Sequence, residues 1–183
     1  PELLAQQLPW LYIALLTILG LLVGSFLNVV IYRLPIMLER SWQQEYRDYF
    51  DESSDDNQPA APERFNLMVP RSACPHCGHA ITALENIPIL SWLMLRGRCR
   101  GCQARISARY PLVELCTGLA TAAIAWHFPL GWPLLGALLL TWTLIALTFI
   151  DLDKMLLPDQ LTLPLLWAGL LLNLIGGLAP LQD

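Results

Sequence analysis

Charge is scarce in this chain. Only 14% of its 183 residues are Asp, Glu, Lys or Arg, against roughly a quarter in ordinary soluble domains. With 55% hydrophobic residues and a mean hydropathy of +0.48, that deficit excludes a conventional water-soluble globule and points to lipid contact. Lysine is almost missing, Lys154 standing alone among 11 basic residues. No run of like charge is long enough for a nucleic-acid-binding arm, so no nucleic-acid partner is expected. The start, Pro1-Glu2-Leu3-Leu4, lacks a basic n-region, so the first apolar run is expected to be an uncleaved span rather than a signal peptide. There is no internal repeat and no Gly-rich nucleotide loop of the soluble methyltransferase type.

What is abundant is apolar sequence. A membrane-crossing helix needs about 20 mainly apolar residues, and 11–32, 112–128, 133–150 and 161–179 are the candidates. The second contains one acid, Glu114. The turn at 127–132 is short enough to force an antiparallel hairpin, with Trp126 and Trp132 placed as interfacial anchors. The arginines cluster between Arg33 and Arg109, and the acids between Glu45 and Glu63. Because Arg33, Arg40 and Arg47 follow the first span and Arg105 and Arg109 precede the second, 33–110 is expected in the cytoplasm. Both ends then lie outside, and 151–160 returns to the cytoplasmic side. Within the loop, Leu38, Trp42, Tyr46, Tyr49 and Phe50 predict a short amphipathic helix on the membrane surface, and 51–62 reads as a linker.

Four cysteines form two knuckles, Cys74-Pro75-His76-Cys77 and Cys99-Arg100-Gly101-Cys102. Their separation is that of a zinc ribbon, in which four thiolates surround Zn²⁺ tetrahedrally. Two disulfides do not suit a cytoplasmic loop, and two matched pairs fit a metal better than a redox dithiol. Cys74, Cys77, Cys99 and Cys102 are therefore the expected ligands of a structural zinc in a module spanning about 71–106. His76 and His79 could ligate, but the cysteines already fill the site. A closed four-ligand site leaves no position for activated water. Cys116 reads as a small core hydrophobe. The expected fold class is an all-α polytopic membrane protein with a small cytoplasmic zinc-ribbon-like module.

Asp151 and Asp153 follow the third span directly. A carboxylate at the edge of the hydrocarbon is a functional candidate, although both could simply end the span while Asp159 caps the next helix. Glu114 is expected to pair with Arg109. Ser25 and Asn28, inside the first span, are expected to hydrogen-bond between helices, with substrate contact as the other reading.

Several motifs together resemble those of bacterial type IV prepilin peptidases. They are Gly24-Ser25-Phe26-Leu27-Asn28 through Arg33-Leu34-Pro35, the cysteine module, Asn86-Ile87-Pro88-Ile89-Leu90-Ser91-Trp92, Leu95-Arg96-Gly97-Arg98-Cys99, Ser107-Ala108-Arg109-Tyr110-Pro111 through Glu114, and Ile150-Asp151 with Leu157-Pro158-Asp159. The similarity spans nearly everything except about 36–63. It implies a multi-pass aspartic protease of the bacterial inner membrane, its catalytic face cytoplasmic. Such a protease would cleave the leaders of type IV prepilins or type II secretion pseudopilins. It further implies N-methylation of the new terminus with S-adenosyl-L-methionine, for which Gly97 and its neighbouring arginines are the first place to look. The resemblance carries the first catalytic aspartate onto Asp151. The second belongs to a Gly-x-Gly-Asp motif that these residues lack, and neither Asp153 nor Asp159 matches it. The chain has no initiator Met and stops after an apolar run, so it reads as part of a longer polypeptide, inactive as a peptidase alone. The readings from other classes are a non-enzymatic membrane zinc-ribbon scaffold that docks a partner, and a membrane reductase using the cysteine pairs.

Overall fold

The computed structural model describes residues 8–50 and 65–174. The expected linker 51–62 and the end of the fourth span, 175–179, lie outside them. Among the described residues five α-helices follow one another: α1 (Pro9–Phe50), α2 (Leu90–Met94), α3 (Arg109–His127), α4 (Trp132–Lys154) and α5 (Asp159–Leu174). A 3₁₀ turn covers Leu84–Asn86, and no strand longer than an isolated bridge occurs among the described residues. Long helices fall where the four spans were expected, and α1 and α4 are long and apolar enough to cross a membrane.

The amphipathic helix expected after the first span is not a separate element. The chain continues as α1 for 42 residues, about 63 Å at 1.5 Å per residue, roughly twice the hydrocarbon thickness. Pro35 sits inside it, buried, and leaves the Ile31 carbonyl without its usual donor. Packing on both sides carries the helix through this point: Leu27, Val30, Ile31, Leu34 and Leu38 form the bundle core with Val113, Ala146 and Ile150. Beyond Leu38 the helix is exposed.

Small residues bring α1 and α3 close together. A Cβ added at Gly20 would collide with Thr121 Oγ1, and one at Gly24 would lie 2.8 Å from the Cα of Glu114. Gly118 likewise receives Leu21, so the contact is reciprocal. In lipid, helices gain little from excluding water, and close van der Waals packing of small residues takes its place. Thr117 and Thr121 are fully buried in this seam and return their hydroxyls to the Val113 and Thr117 carbonyls at 2.7 Å. Trp142 of α4 donates its indole N–H to Thr121 Oγ1 at 2.9 Å, which ties the third helix on.

The two ends of the bundle differ in chemistry. At one end Trp10 meets Trp126 edge-on at 5.8 Å, and the Tyr12 hydroxyl donates to the Phe128 carbonyl. At the other lie the exposed half of α1, the start of α3 and the end of α4, joined by ion pairs. Cys116, expected in the core, is exposed. It lies beside Leu112, Leu115 and Leu119 on the outer face of α3, and a helix apolar all round gives no sign of which face turns inward.

The seam yields a direct test. Gly24→Val is expected to cost about 1–3 kcal/mol through overpacking, read as a lower unfolding midpoint in detergent micelles. Gly169→Ala, with nothing within 4 Å of the added Cβ, should leave the midpoint unchanged or slightly raised. Equal behaviour of the two variants would refute the tight crossing.

Candidate functional site

The two knuckles fold alike. In the first, the Gly78 N–H donates to the Cys74 carbonyl at 2.9 Å, and the Cys74 N–H donates to the His79 carbonyl at 2.9 Å. In the second, the Gln103 N–H donates to the Cys99 carbonyl at 3.0 Å, and the Cys99 N–H donates to the Ala104 carbonyl at 2.8 Å. Each loop closes on a single antiparallel bridge, Ala73 with Ala80 and Arg98 with Arg105. Both need a left-handed residue just after the second cysteine. Gly78 takes it freely at φ +70°, and Gln103 takes it at φ +60° against its Cβ.

These turns aim four sulfurs at one point, all within 4.8 Å of one another. Cys74 Sγ lies 3.8 Å from Cys102 Sγ, and Cys77 Sγ lies 3.9 Å from Cys99 Sγ. A disulfide would require about 2.05 Å. A tetrahedron of thiolates around Zn²⁺ at about 2.3 Å has edges near 3.8 Å, so the cluster fits such an ion. Backbone amides of His76 and Cys77 draw the Cys74 thiol down to about 7. At Cys77 the His79 amide pulls downward, but desolvation and the crowding sulfurs push the thiol up to about 12. One thiolate is thus ready, and the remaining protons leave as a metal enters. Neither histidine joins the cluster.

His79 has another use. Its Nε2 lies 3.2 Å from Glu85 Oε1, while Glu85 Oε2 accepts from the Thr82 N–H at 2.9 Å and the Thr82 hydroxyl at 3.1 Å. Arg100, from the opposite knuckle, approaches the same carboxylate at 3.8 Å. Glu85 therefore clamps the two knuckles together, and its bond from the Thr82 backbone, then His79, holds its carboxyl below the usual range. In the sequence Glu85 is the one acid between Glu63 and Glu114 and ends a Thr-x-x-Glu pattern, a signal that could have marked it.

Two contacts hold the loop that carries the module to the bundle, through Arg33 and Glu114, and a third, from Asn28, joins α1 to the start of α3. Arg33 is buried and donates to the Asn66 carbonyl at 2.8 Å and the Pro70 carbonyl at 2.6 Å, with the Phe65 ring between it and Arg40. Asn28 Nδ2 donates to the Tyr110 carbonyl at 3.1 Å, at the start of α3. Glu114 accepts the Ile89 N–H at 2.8 Å and a hydrogen bond from Ser25. Ser25 and Asn28 thus bond between elements as expected, but the expected Glu114–Arg109 pair does not form. Arg109 instead reaches across to α4, 2.6 Å from Asp153 Oδ2, and donates to the Phe149 carbonyl at 3.2 Å. Five residues along a helix place Glu114 and Arg109 on different faces, and the neighbouring chains supply each with a better partner.

The same contacts sort the charges at the end of α4. Asp153 is bound to Arg109, and Lys154 is bound to Glu39 of α1 at 2.9 Å. Asp151 is exposed, and among the described residues nothing pairs with its carboxylate. Met155, left-handed at φ +51°, closes the helix by donating its N–H to the Asp151 carbonyl at 2.8 Å. Asp159 is the first residue of α5, where the Pro158 carbonyl accepts from the Leu161 N–H. Gly97, the suggested donor-binding position, is buried under Trp92, whose ring would lie 2.9 Å from an added Cβ. Packing accounts for that glycine.

An apolar helical bundle, a four-cysteine module able to hold a metal ion fastened to one end, and an exposed Asp151 beside it together define a class of protein. Residues 18–128 match the model of the Bacterial Peptidase A24 N-terminal domain, and residues 138–183 match that of the Type IV leader peptidase family. The chain belongs to the bacterial A24 peptidase family. It is 70% identical over 180 residues to a prepilin leader peptidase/N-methyltransferase of Aeromonas salmonicida, covering 98% of this chain and 61% of that protein. The corresponding protein of Stutzerimonas stutzeri is 53% identical over 184 residues (100% and 61%), and that of Neisseria gonorrhoeae 52% over 171 residues (93% and 59%). The chain thus spans about three fifths of the length of these relatives. No solved structure matches it.

Glu85→Ala should weaken metal binding about 10- to 100-fold, as loss of groups that orient ligands commonly does. Competition with a chromophoric zinc chelator measures this. Unchanged affinity would mean that the knuckles order without the clamp.

Proposed function

We propose that this chain is the N-terminal part of a membrane aspartic endopeptidase that removes the leader of type IV prepilins or type II secretion pseudopilins. The enzyme then methylates the exposed amino group from S-adenosyl-L-methionine. The observation that carries the reading is the state of the charges ending α4: Arg109 engages Asp153, Glu39 engages Lys154, and Asp151 is left accessible. A carboxylate kept free among engaged neighbours suits one that must reach a substrate.

The bilayer is the setting, with α1, α3, α4 and α5 as the four spans and the end bearing Arg33, Arg109 and Asp151 facing the cytoplasm of the inner membrane. The arginine distribution supports that orientation. Asp151 provides one carboxylate of a dyad whose partner belongs to the Gly-x-Gly-Asp motif absent from these 183 residues. Two carboxylates held close share one proton, so the charged one takes a proton from water while the protonated one polarises the scissile carbonyl.

Zinc held by Cys74, Cys77, Cys99 and Cys102 would lend the module rigidity and, with its coordination filled, would not activate water. Trp92 covers Gly97, so S-adenosyl-L-methionine is carried from the family resemblance, supported by the relatives' naming as N-methyltransferases.

In the full-length protein, Asp151→Asn should lower leader cleavage by about 10²–10⁴-fold while zinc content stays the same. Methylation of a peptide supplied already cleaved should persist. Asp153→Asn should impair cleavage less, because it loosens α4 from α3 without removing the reacting group. Full processing by the Asp151→Asn protein would favour a non-enzymatic scaffold instead.

A further inference from the structure

Residues 86–95, Asn86-Ile87-Pro88-Ile89-Leu90-Ser91-Trp92-Leu93-Met94-Leu95, form an uncharged stretch within the most arginine-rich part of the chain. Their fold is unusual for a water-exposed loop. Leu90, Leu93 and Met94 of α2 are 58%, 57% and 83% exposed, an apolar surface with nothing on it. The backbone beneath is self-sufficient. Ser91, Leu93 and Leu95 donate their N–H groups to the Ile87, Ile89 and Ser91 carbonyls, and Arg96 and Gly97 donate to those of Leu93 and Trp92. Ile89, at φ +59°, has no local acceptor and gives its N–H to the Glu114 carboxylate. A segment with most of its amides bonded within the protein and its apolar side chains outward suits a medium without water.

The level of this segment agrees. Glu114 lies five residues into α3 beyond Arg109, about 7.5 Å along the axis. Arg109 itself meets Phe149 and Asp153 in the last turns of α4. Even with the Glu114 side chain leaning back toward the start of its helix, Ile89 is held at the apolar edge of the bundle. Arg96 and Arg98 follow directly, exposed, with Arg105 bridged to Arg98 and exposed as well. Among the described residues none of the three has an acidic partner. Leucines at the hydrocarbon edge with unpaired arginines beside them suit a leaflet bearing anionic headgroups.

We propose that α2 is a lipid-inserted foot of the metal module. Leu90, Leu93 and Met94 enter the leaflet on the Asp151 side of the membrane, and Arg96, Arg98 and Arg105 contact anionic phospholipid headgroups. The foot sets the module's height above the bilayer, with Glu114 as its hinge to the bundle. This rests on the reading that α1 and α4 cross the membrane.

The test places a photo-reactive benzophenone residue singly at Leu93, Met94, Leu139 of α4 or Tyr49 on the exposed part of α1. The full-length protein is held in phosphatidylcholine vesicles with or without phosphatidylglycerol. Leu93 and Met94 should give phospholipid adducts at about the level of Leu139 and several-fold above Tyr49. Their yield should rise with phosphatidylglycerol, and Arg96→Gln with Arg98→Gln should abolish that rise. Lipid adducts at Leu139 with only protein adducts or none at both Leu93 and Met94 would overturn the foot while leaving the spans intact. No lipid adduct at Leu139 would overturn the membrane-spanning reading and the foot with it.

Discussion

The close crossing of α1 and α3 is the constraint on which the other contacts depend. At Gly24 the absence of a side chain lets the backbone of Glu114 approach to within contact, with Ser25 next to it. That proximity sets the Glu114 carboxylate where it can accept both the Ser25 hydrogen bond and the Ile89 amide. A buried carboxylate is costly without partners, so seam and carboxylate stabilise each other. Through Ile89 the metal module is fixed to the bundle at a defined height, and through Asn28 and Tyr110 the start of α3 is fixed beside α1. Arg109, one residue before Tyr110, is then in place to reach α4.

From this follows the division of labour among the charges at that end. Arg109 and Glu39 neutralise Asp153 and Lys154 and in doing so hold the end of α4 against two other helices. Exposed ion pairs of this kind contribute little stability singly, and their value here is in direction: they fix the helix that carries Asp151 without touching Asp151. The metal module stands apart from that chemistry. Its sulfurs are closed around one point, and its outer shell, Glu85 with His79, Thr82 and Arg100, is arranged to hold two knuckles rather than to bind a reactant.

Much of this was legible in the chain. Cys-x-x-Cys spacing is a local property, since two thiolates three residues apart can meet at one point only through a tight turn, and so the four cysteines that converge could be named before any fold was known. The apolar runs likewise announced helices at 112–128, 133–150 and 161–179, which are found at Arg109–His127, Trp132–Lys154 and Asp159–Leu174. The continuity of α1 through Pro35 was not legible, because proline ordinarily ends a helix and only packing on both sides overrides it. Nor was the exposure of Cys116, since in a uniformly apolar helix no polar face marks the outside.

The sequence by itself marked the four cysteines that converge and the runs that form helices, because spacing and hydropathy act over a few residues. The tertiary structure alone decided which charges meet. Arg109 chose Asp153 over Glu114, Arg33 became a buried clamp rather than a free surface charge, and Glu114 turned to a backbone amide 25 residues away in the chain. These partners lie on different helices or on the loop between them, far apart in the chain, and they meet only because α1 and α3 cross closely, a quantity that no local pattern carries.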